Sequence, residues 1–179
     1  MKTRLLLLIF AITAGNVFAQ NYSPVDKESK IEFKIKNFGF NTGGSFSGLK
    51  GKIHFEPSNL YASTFDVTID ANSVNTDNNM RDNHLREDSY FDVKNYPVIH
   101  FVSEKVTASN KSGTHFIFGK LTIKKTTKDI SFPFTSEESG DGYVFDGEFK
   151  INRRDFEVGG SSTLSDNVTV ILHVVTKKE

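Results

Sequence analysis

Residues 29–37 read SKIEFKIKN. Ile31, Phe33 and Ile35 fall on one parity, and Lys30, Glu32, Lys34 and Lys36 fall on the other. Successive side chains of a β-strand point to opposite faces. The pattern therefore predicts a strand with one face on an apolar interior and one face in water. The same period of two recurs in TFDVTID (64–70), DISFPF (129–134) and YVFDGEFKI (143–151).

Working outward, the alternation marks eight strands, at 29–37, 46–56, 63–71, 98–107, 114–124, 128–138, 143–152 and 167–176. Gly43-Gly44, Pro57-Ser58-Asn59, 109–113 and Gly140-Asp141-Gly142 have the composition of turns between them. Short loops favour antiparallel neighbours. Two connections are long, 72–97 and 153–166. Pro133 inside a strand pattern implies an edge, a bulge or a bend. FIFGKLTI (116–123) and VTVILHVV (168–175) are apolar on both parities, which predicts a covered outer face. The segment 76–91 is the candidate cover. It is read as a helix with Thr76 or Asp77 as N-cap and an i,i+4 pair between Asp82 and Arg86.

Eight antiparallel strands hide their edges by closing into a barrel, whose interior is either filled or holds one small ligand. The expected fold is thus all-β, an eight-stranded antiparallel barrel with a short helix in the 72–97 connection. Of 17 Phe in the chain, Phe10 and Phe18 precede residue 20, and there is no Trp. Phe has no polar handle. Same-parity residues Phe33, Ile35, Phe65, Ile69, Phe101, Phe132, Phe134 and Phe145 are the candidates to line a continuous apolar tunnel. An ordinary filled β-core is the plainer reading of that composition.

The N-terminus, MKTRLLLLIFAITAGNVFAQ, has a basic start at Lys2 and Arg4, an apolar stretch from Leu5 to Ile12, and small residues before Gln20. The apolar stretch is shorter than the ~20 residues that span a bilayer. Residues 1–19 are expected to be a cleaved signal peptide, and residues 20–179 a single domain in the periplasm or outside the cell, with no membrane anchor. Without Lys2 and Arg4, 20 basic residues face 22 acidic ones. No basic excess invites nucleic acid. The chain has no cysteine, hence no disulfide, thiol nucleophile or thiolate ligand.

Residues 81–88, RDNHLRED, hold five charges and a histidine. A catalytic reading of Arg81, Asp82 and His84 requires a nucleophile beside a base, and none stands out. A structural use, through surface pairs and loop carbonyls, is favoured. Arg153 and Arg154 are read as a loop ion pair with Asp155 or as a cationic rim for an anionic head group. His54, His84, His100, His115 and His173 lie on five separate segments without metal-ligand spacing. Neither a metal nor a cofactor is expected, and no catalytic residue is assigned.

RDNHLR (81–86) followed by FDVKNYPVIHF (91–101) closely resembles the signature of the YceI-like family. GGSFSGLKGKIHFEP, DVTIDANSVNTDN, GKLTIKKTTKDISF and FKINRRDFEVGG are similar to its other conserved segments, so the resemblance covers about 22–176. Glu87, Tyr90, Lys125, Asp129 and Glu157 depart from the family pattern. Glu157 and Lys125 bear on loop geometry where a head group would sit. The resemblance implies an exported, lipocalin-like extended barrel enclosing a polyisoprenoid or similar amphiphile, such as a prenyl quinone or a fatty amide. Burial contributes about 0.8 kcal/mol per CH₂, so a five-carbon unit adds at most roughly 3–4 kcal/mol. Several units offset the ~4–15 kcal/mol that association costs. Arg153 and Arg154 are then the candidate head-group ligands. The competing classes are an exported enzyme using His84 or His100 as base, and a filled barrel acting through protein contacts. A homodimer is compatible with all three.

Overall fold

The computed structural model describes residues 20–160 and 163–179; the expected signal peptide lies outside them. The described residues form ten strand segments: β1 (Asn21–Pro24), β2 (Lys30–Asn37), β3 (Phe40–Phe46), β4 (Lys50–His54), β5 (Thr64–Asp70), β6 (Val98–Ala108), β7 (Thr114–Ile123), β8 (Thr126–Ser139), β9 (Gly142–Asn152) and β10 (Leu164–Lys178). All pairings are antiparallel, in the order β1-β4-β5-β6-β7-β8-β9-β10-β2-β3, with β1 also on β10.

These ten segments make eight barrel staves. β1 and β2 both lie along β10, and their partners β4 and β3 lie along them in turn. Each pair is one stave broken in the middle. The two breaks, at 25–29 and 47–49, are tied together where Asp26 accepts a hydrogen bond from Leu49 N at 2.7 Å. Past the break β3 no longer reaches β5. The strap 71–76 fills that gap, through Ser45 N to Asn75 O at 2.8 Å, Asn75 N to Ser45 O at 3.0 Å, and Ser47 N to Ser73 Oγ at 2.8 Å.

The eight-stranded closed barrel agrees with the expectation, but two local readings do not. Gly43-Gly44 is strand, not turn. A Cβ on Gly44 would stand 2.5 Å from Asn75 O and 2.8 Å from the Phe33 ring, so the strap crosses the wall only where a side chain is missing. The hairpin turn is Phe38-Gly39 instead. The segment 46–56 is likewise interrupted, with β3 ending at Phe46 and β4 starting at Lys50.

The helix α1 (Asn79–Arg86) is shorter than 76–91, and its N-cap is Asn78, whose side chain accepts from Arg81 N. It lies over one end of the barrel rather than over the outer wall, where Phe116 and Phe118 stay exposed. Pro133, which has no N–H to give, sits where pairing of β8 with β9 stops. Their ladder runs from Phe134 to Ser139 only, and the earlier half of β8 pairs with β7 alone.

Two apolar clusters occupy the interior. One, around Ile53, Phe55, Phe65, Phe134 and Phe145, sits at the end where the β8–β9 hairpin turns. The other, around Ile99, Leu121, Ile123, Phe156 and Val158, lies beneath the long connections.

Candidate functional site: an apolar cavity under a polar cover

Inward rows from all parts of the wall enclose a cavity of about 270 Å³. On β10 its lining runs from Leu164 to Val174. Ten residues of strand span ~33 Å, or about 25 Å along the axis of a barrel whose strands tilt by ~40°. The space is therefore long as well as apolar.

The far end is plugged by rings. Phe55 meets Tyr143 and Phe145 edge-on, each with centroids 5.1 Å apart, and Tyr143 meets Tyr22 at 5.3 Å. Edge-to-face packing fills a barrel end without leaving a channel. The Tyr22 phenol bonds Gln20 Oε1 at 2.8 Å. Burial, with Glu56 and Glu138 adding to it, pushes its pKa up. His115 belongs to this plug, between Phe55 and Phe134, with Nε2 3.1 Å from Ser136 Oγ. Burial holds its imidazole below the usual value.

The near end is closed by polar chemistry. Asp82, 4% exposed, accepts from Thr76 N at 2.8 Å and Thr76 Oγ1 at 2.5 Å. Arg81 donates to Thr76 Oγ1 and Thr76 O, both at 2.7 Å. Arg86 donates to Asn72 O and Val74 O, both at 2.9 Å, and not to Asp82. The predicted i,i+4 pair is thus replaced by two residues that bind the strap separately. His84 lies on the surface, 2.9 Å from Glu87 and edge-on to Tyr90 at 4.8 Å. Arg81 and Asp82 meet on Thr76 of the strap, whereas His84 turns away to Glu87, so the three do not form one catalytic group.

The second connection is organised by Arg153, which is 4% exposed. Its guanidinium donates to Ser165 O at 3.0 Å, Val158 O at 2.8 Å and Gly159 O at 3.0 Å, and pairs with Asp166 at 3.2 Å. Arg154 pairs with the same Asp166 at 2.6 Å. Asp155, the partner expected from sequence, is in neither pair. Gly159 N donates to Ser89 O at 2.8 Å, which joins the two connections into one cover. Two departures from the family pattern meet in it: Lys125 pairs with Glu157 at 3.0 Å, and Glu157 holds φ 56°, where glycine would be at ease.

Phe33, Ile35, Phe65, Ile69, Phe101, Phe132, Phe134 and Phe145 all line the cavity, as does Arg153; Arg154 does not. The carbonyls and Asp166 engage the Arg153 guanidinium, so its geometry is that of a loop anchor. Sequence reasoning missed Thr42 and Phe46, because β3 was hidden by its glycines, and Leu85, Tyr90 and Phe91, which the cover turns inward. Their signal was the apolar side of the covering segment. The histidines do not meet. His100 and His173 face Asp66 and Asp146 on the outer surface, each at 2.7 Å. Among the described residues no three metal-ligating side chains cluster.

Residues 22–176 match the YceI-like domain. The chain belongs to the YceI-like family. A UPF0312 protein of Yersinia enterocolitica is 34% identical over 178 residues, which cover 96% of this chain and 88% of that one. The crystal structure of BcnA from Burkholderia cenocepacia has 27% identity and a TM-score of 0.80, covering 84% of this chain and 98% of that chain. A polyisoprenoid binding domain from Saccharophagus degradans, implicated in plant cell wall breakdown, shares the fold at a TM-score of 0.72 and 16% identity. That match covers 88% of this chain and 98% of the other. Among the described residues no helix of this YceI-like protein is long and apolar enough to cross a membrane.

Proposed function

We propose that this protein is a carrier or reservoir for a single-tailed isoprenoid or similar amphiphile, held with its tail in the barrel and its head beneath the cover. The observation that carries the reading is the long cavity, whose wall is apolar from the aromatic plug up to the strap. A catalyst would want convergent polar groups, and the interior offers few. Family membership and the Saccharophagus domain's description as polyisoprenoid binding support the same ligand class.

The head group rests near Thr42, Thr76 and Arg81, the polar residues that line the cavity close to the strap. Because Arg153 is neutralised by Asp166 and occupied by carbonyls, an uncharged head such as a quinone suits this end better than a diphosphate. Residues 1–19 serve as a cleaved leader, and the protein works after export. Native mass spectrometry of the purified mature protein tests the reading. Recovery of a bound lipid with an isoprenoid or long alkyl tail is expected. Protein that neither retains such a lipid nor takes up added farnesol or a prenyl quinone would refute it.

A further inference from the structure

The β2–β3 hairpin turns through two residues, Phe38 and Gly39, between the paired residues Asn37 and Phe40. Both have positive φ, 47° and 84°. That is the pattern of the hairpin turn for which Asn-Gly is the favoured sequence. Phe38 therefore holds a backbone conformation that a bulky side chain disfavours. Phe38 is 75% exposed, and Phe40 is 79% exposed. The fold gains little from either ring, and an asparagine at 38 would suit the turn better. Strain retained at an exposed apolar tip points to a use outside the fold.

The tip continues the cavity. Phe46, Thr42 and Phe40 share one face of β3, opposite Ile31, Ile35 and Asn37 of β2. Phe46 and Thr42 line the cavity, and Phe40 is the next step of that row toward the turn. The other face of the hairpin carries Lys34 and Lys36, both exposed. Neither is ion-paired among the described residues. Thr169 of β10 pairs with Lys34 on one side and Lys150 on the other, so a third lysine extends the basic row, and Glu32 is the one acid on β2.

We propose that the β2–β3 hairpin tip docks on a lipid bilayer carrying anionic phospholipid. Phe38 and Phe40 enter the acyl region while Lys34 and Lys36 lie at the level of the phosphates. Amphipathic elements with aromatic tips and flanking lysines partition in this way, and each basic residue near an anionic surface strengthens the contact. The purpose of the contact rests on the lipid-carrier reading: a ligand too apolar to cross water moves where the cavity row meets the bilayer. The docking itself rests on the tip.

Flotation of the purified protein with mixed phosphatidylcholine–phosphatidylglycerol vesicles, and with pure phosphatidylcholine vesicles, tests it. The wild type is expected to float, better with the mixed vesicles. Phe38→Asn with Phe40→Ser should lower the partition coefficient roughly tenfold or more for each ring removed. Phe38→Asn alone should melt no lower than the wild type, which separates docking from folding. Lys34→Gln with Lys36→Gln should abolish both the preference for mixed vesicles and its sensitivity to salt. Farnesol binding in solution should be unchanged in every variant. Wild type that stays in the aqueous phase with both vesicles, as it would if the tip met a protein partner, overturns the proposal. So does a double phenylalanine variant that floats as well as the wild type. Flotation without farnesol binding would sustain the docking and remove the carrier reading instead.

Discussion

Gly147 lies in the inward row of β9 with Phe145 and Phe149, and it pairs with Phe134 on one side and Leu172 on the other. A Cβ added there has as its nearest neighbours Pro133 O at 3.4 Å and the Phe132 ring at 3.6 Å, both ordinary contacts. Gly44, by contrast, leaves no such room beneath the strap. Gly147→Val is accordingly expected to place three apolar carbons in the cavity, the Cβ among them at ordinary contact distances. In the strand interior, losing a glycine stabilises by roughly 0.5–1 kcal/mol, and a β-branched side chain suits the position. For a ligand tail the same carbons are an obstacle. At ~0.8 kcal/mol per displaced carbon the loss is up to about 2.4 kcal/mol, or roughly fiftyfold in Kd. Thermal melting, together with displacement of a fluorescent polyene by prenyl alcohols of increasing length, measures both effects. The variant should melt at or above the wild-type temperature. It should lose affinity for geranylgeraniol far more than for geraniol, whose tail ends sooner. Unchanged affinity for the long alcohol would mean that the tail does not occupy the barrel. Loss of the fold would mean that the contacts around Gly147 were misjudged.

Three further outcomes follow from the plug and the cover. Arg153→Gln leaves Asp166 and the carbonyls of Val158, Gly159 and Ser165 short of their buried partner and should cost about 3–5 kcal/mol in urea unfolding; Arg154→Gln removes a half-exposed pair and should cost no more than ~1 kcal/mol. Binding of a prenyl diphosphate and a prenyl quinone should fall together in Arg153→Gln, and selective loss of the diphosphate would restore the clamp role expected from sequence. Asp82→Asn weakens the hold on Thr76 and should destabilise by roughly 1–3 kcal/mol. Amide exchange should quicken in 72–92 before the barrel strands, and uniform quickening would argue against a separately opening cover. Because the folded imidazole of His115 lies below the unfolded value of about 6.5, the unfolded chain binds more protons beneath that pH. The contribution of His115 is therefore intact above ~6.5 and is progressively lost as pH falls below that value. His115→Phe should flatten stability over that window, and a slope identical to wild type would refute the assignment.

How much of this was legible follows from what each signal depends on. The inward rows of β2, β5, β8 and β9 obey a period of two because one face is buried and the other wet, and parity alone found Phe33, Phe65, Phe132 and Phe145. β3 was hidden because its glycines answer to a neighbour distant in sequence. Gly44 is small for the sake of Asn75 and Thr76, and local reading assigns such a pair to a turn. The true turn was equally hidden, since Phe38 violates the turn preference that sequence reading uses. β1 is four residues long, with too few alternations to register. At the cover, Arg81, Arg86 and Arg153 were recognisable as unusual, but their partners are mainly backbone carbonyls, which no side-chain pattern can announce.

The two ends of the barrel are closed by different forces, and on the proposed carrier reading this sets the direction of traffic. At the plug, opening would expose Phe55, Phe65 and Phe145 to water, each at a cost of about 1.5–3 kcal/mol, besides breaking the edge-to-face contacts. At the cover, much of the closure comes from hydrogen bonds of Arg81, Asp82 and Arg86 to a strap whose polar groups water can also satisfy. Exchanging such bonds for water costs only about 0.5–1.5 kcal/mol each, rising toward ~3 where a charged group takes part. Local opening selects the segment with least apolar burial. α1 keeps Met80 in solvent, and Asp82 is its only buried residue, with Leu85 half-buried against the cavity, so the helix itself brings less hydrophobic area to its closure than the rings of the plug do. The β2–β3 hairpin turns at this same end, and its interior row leads from the cavity to Phe40. A tail leaving the barrel past the strap thus meets an apolar surface at each step, whereas the opposite route would have to break the best-packed part of the core.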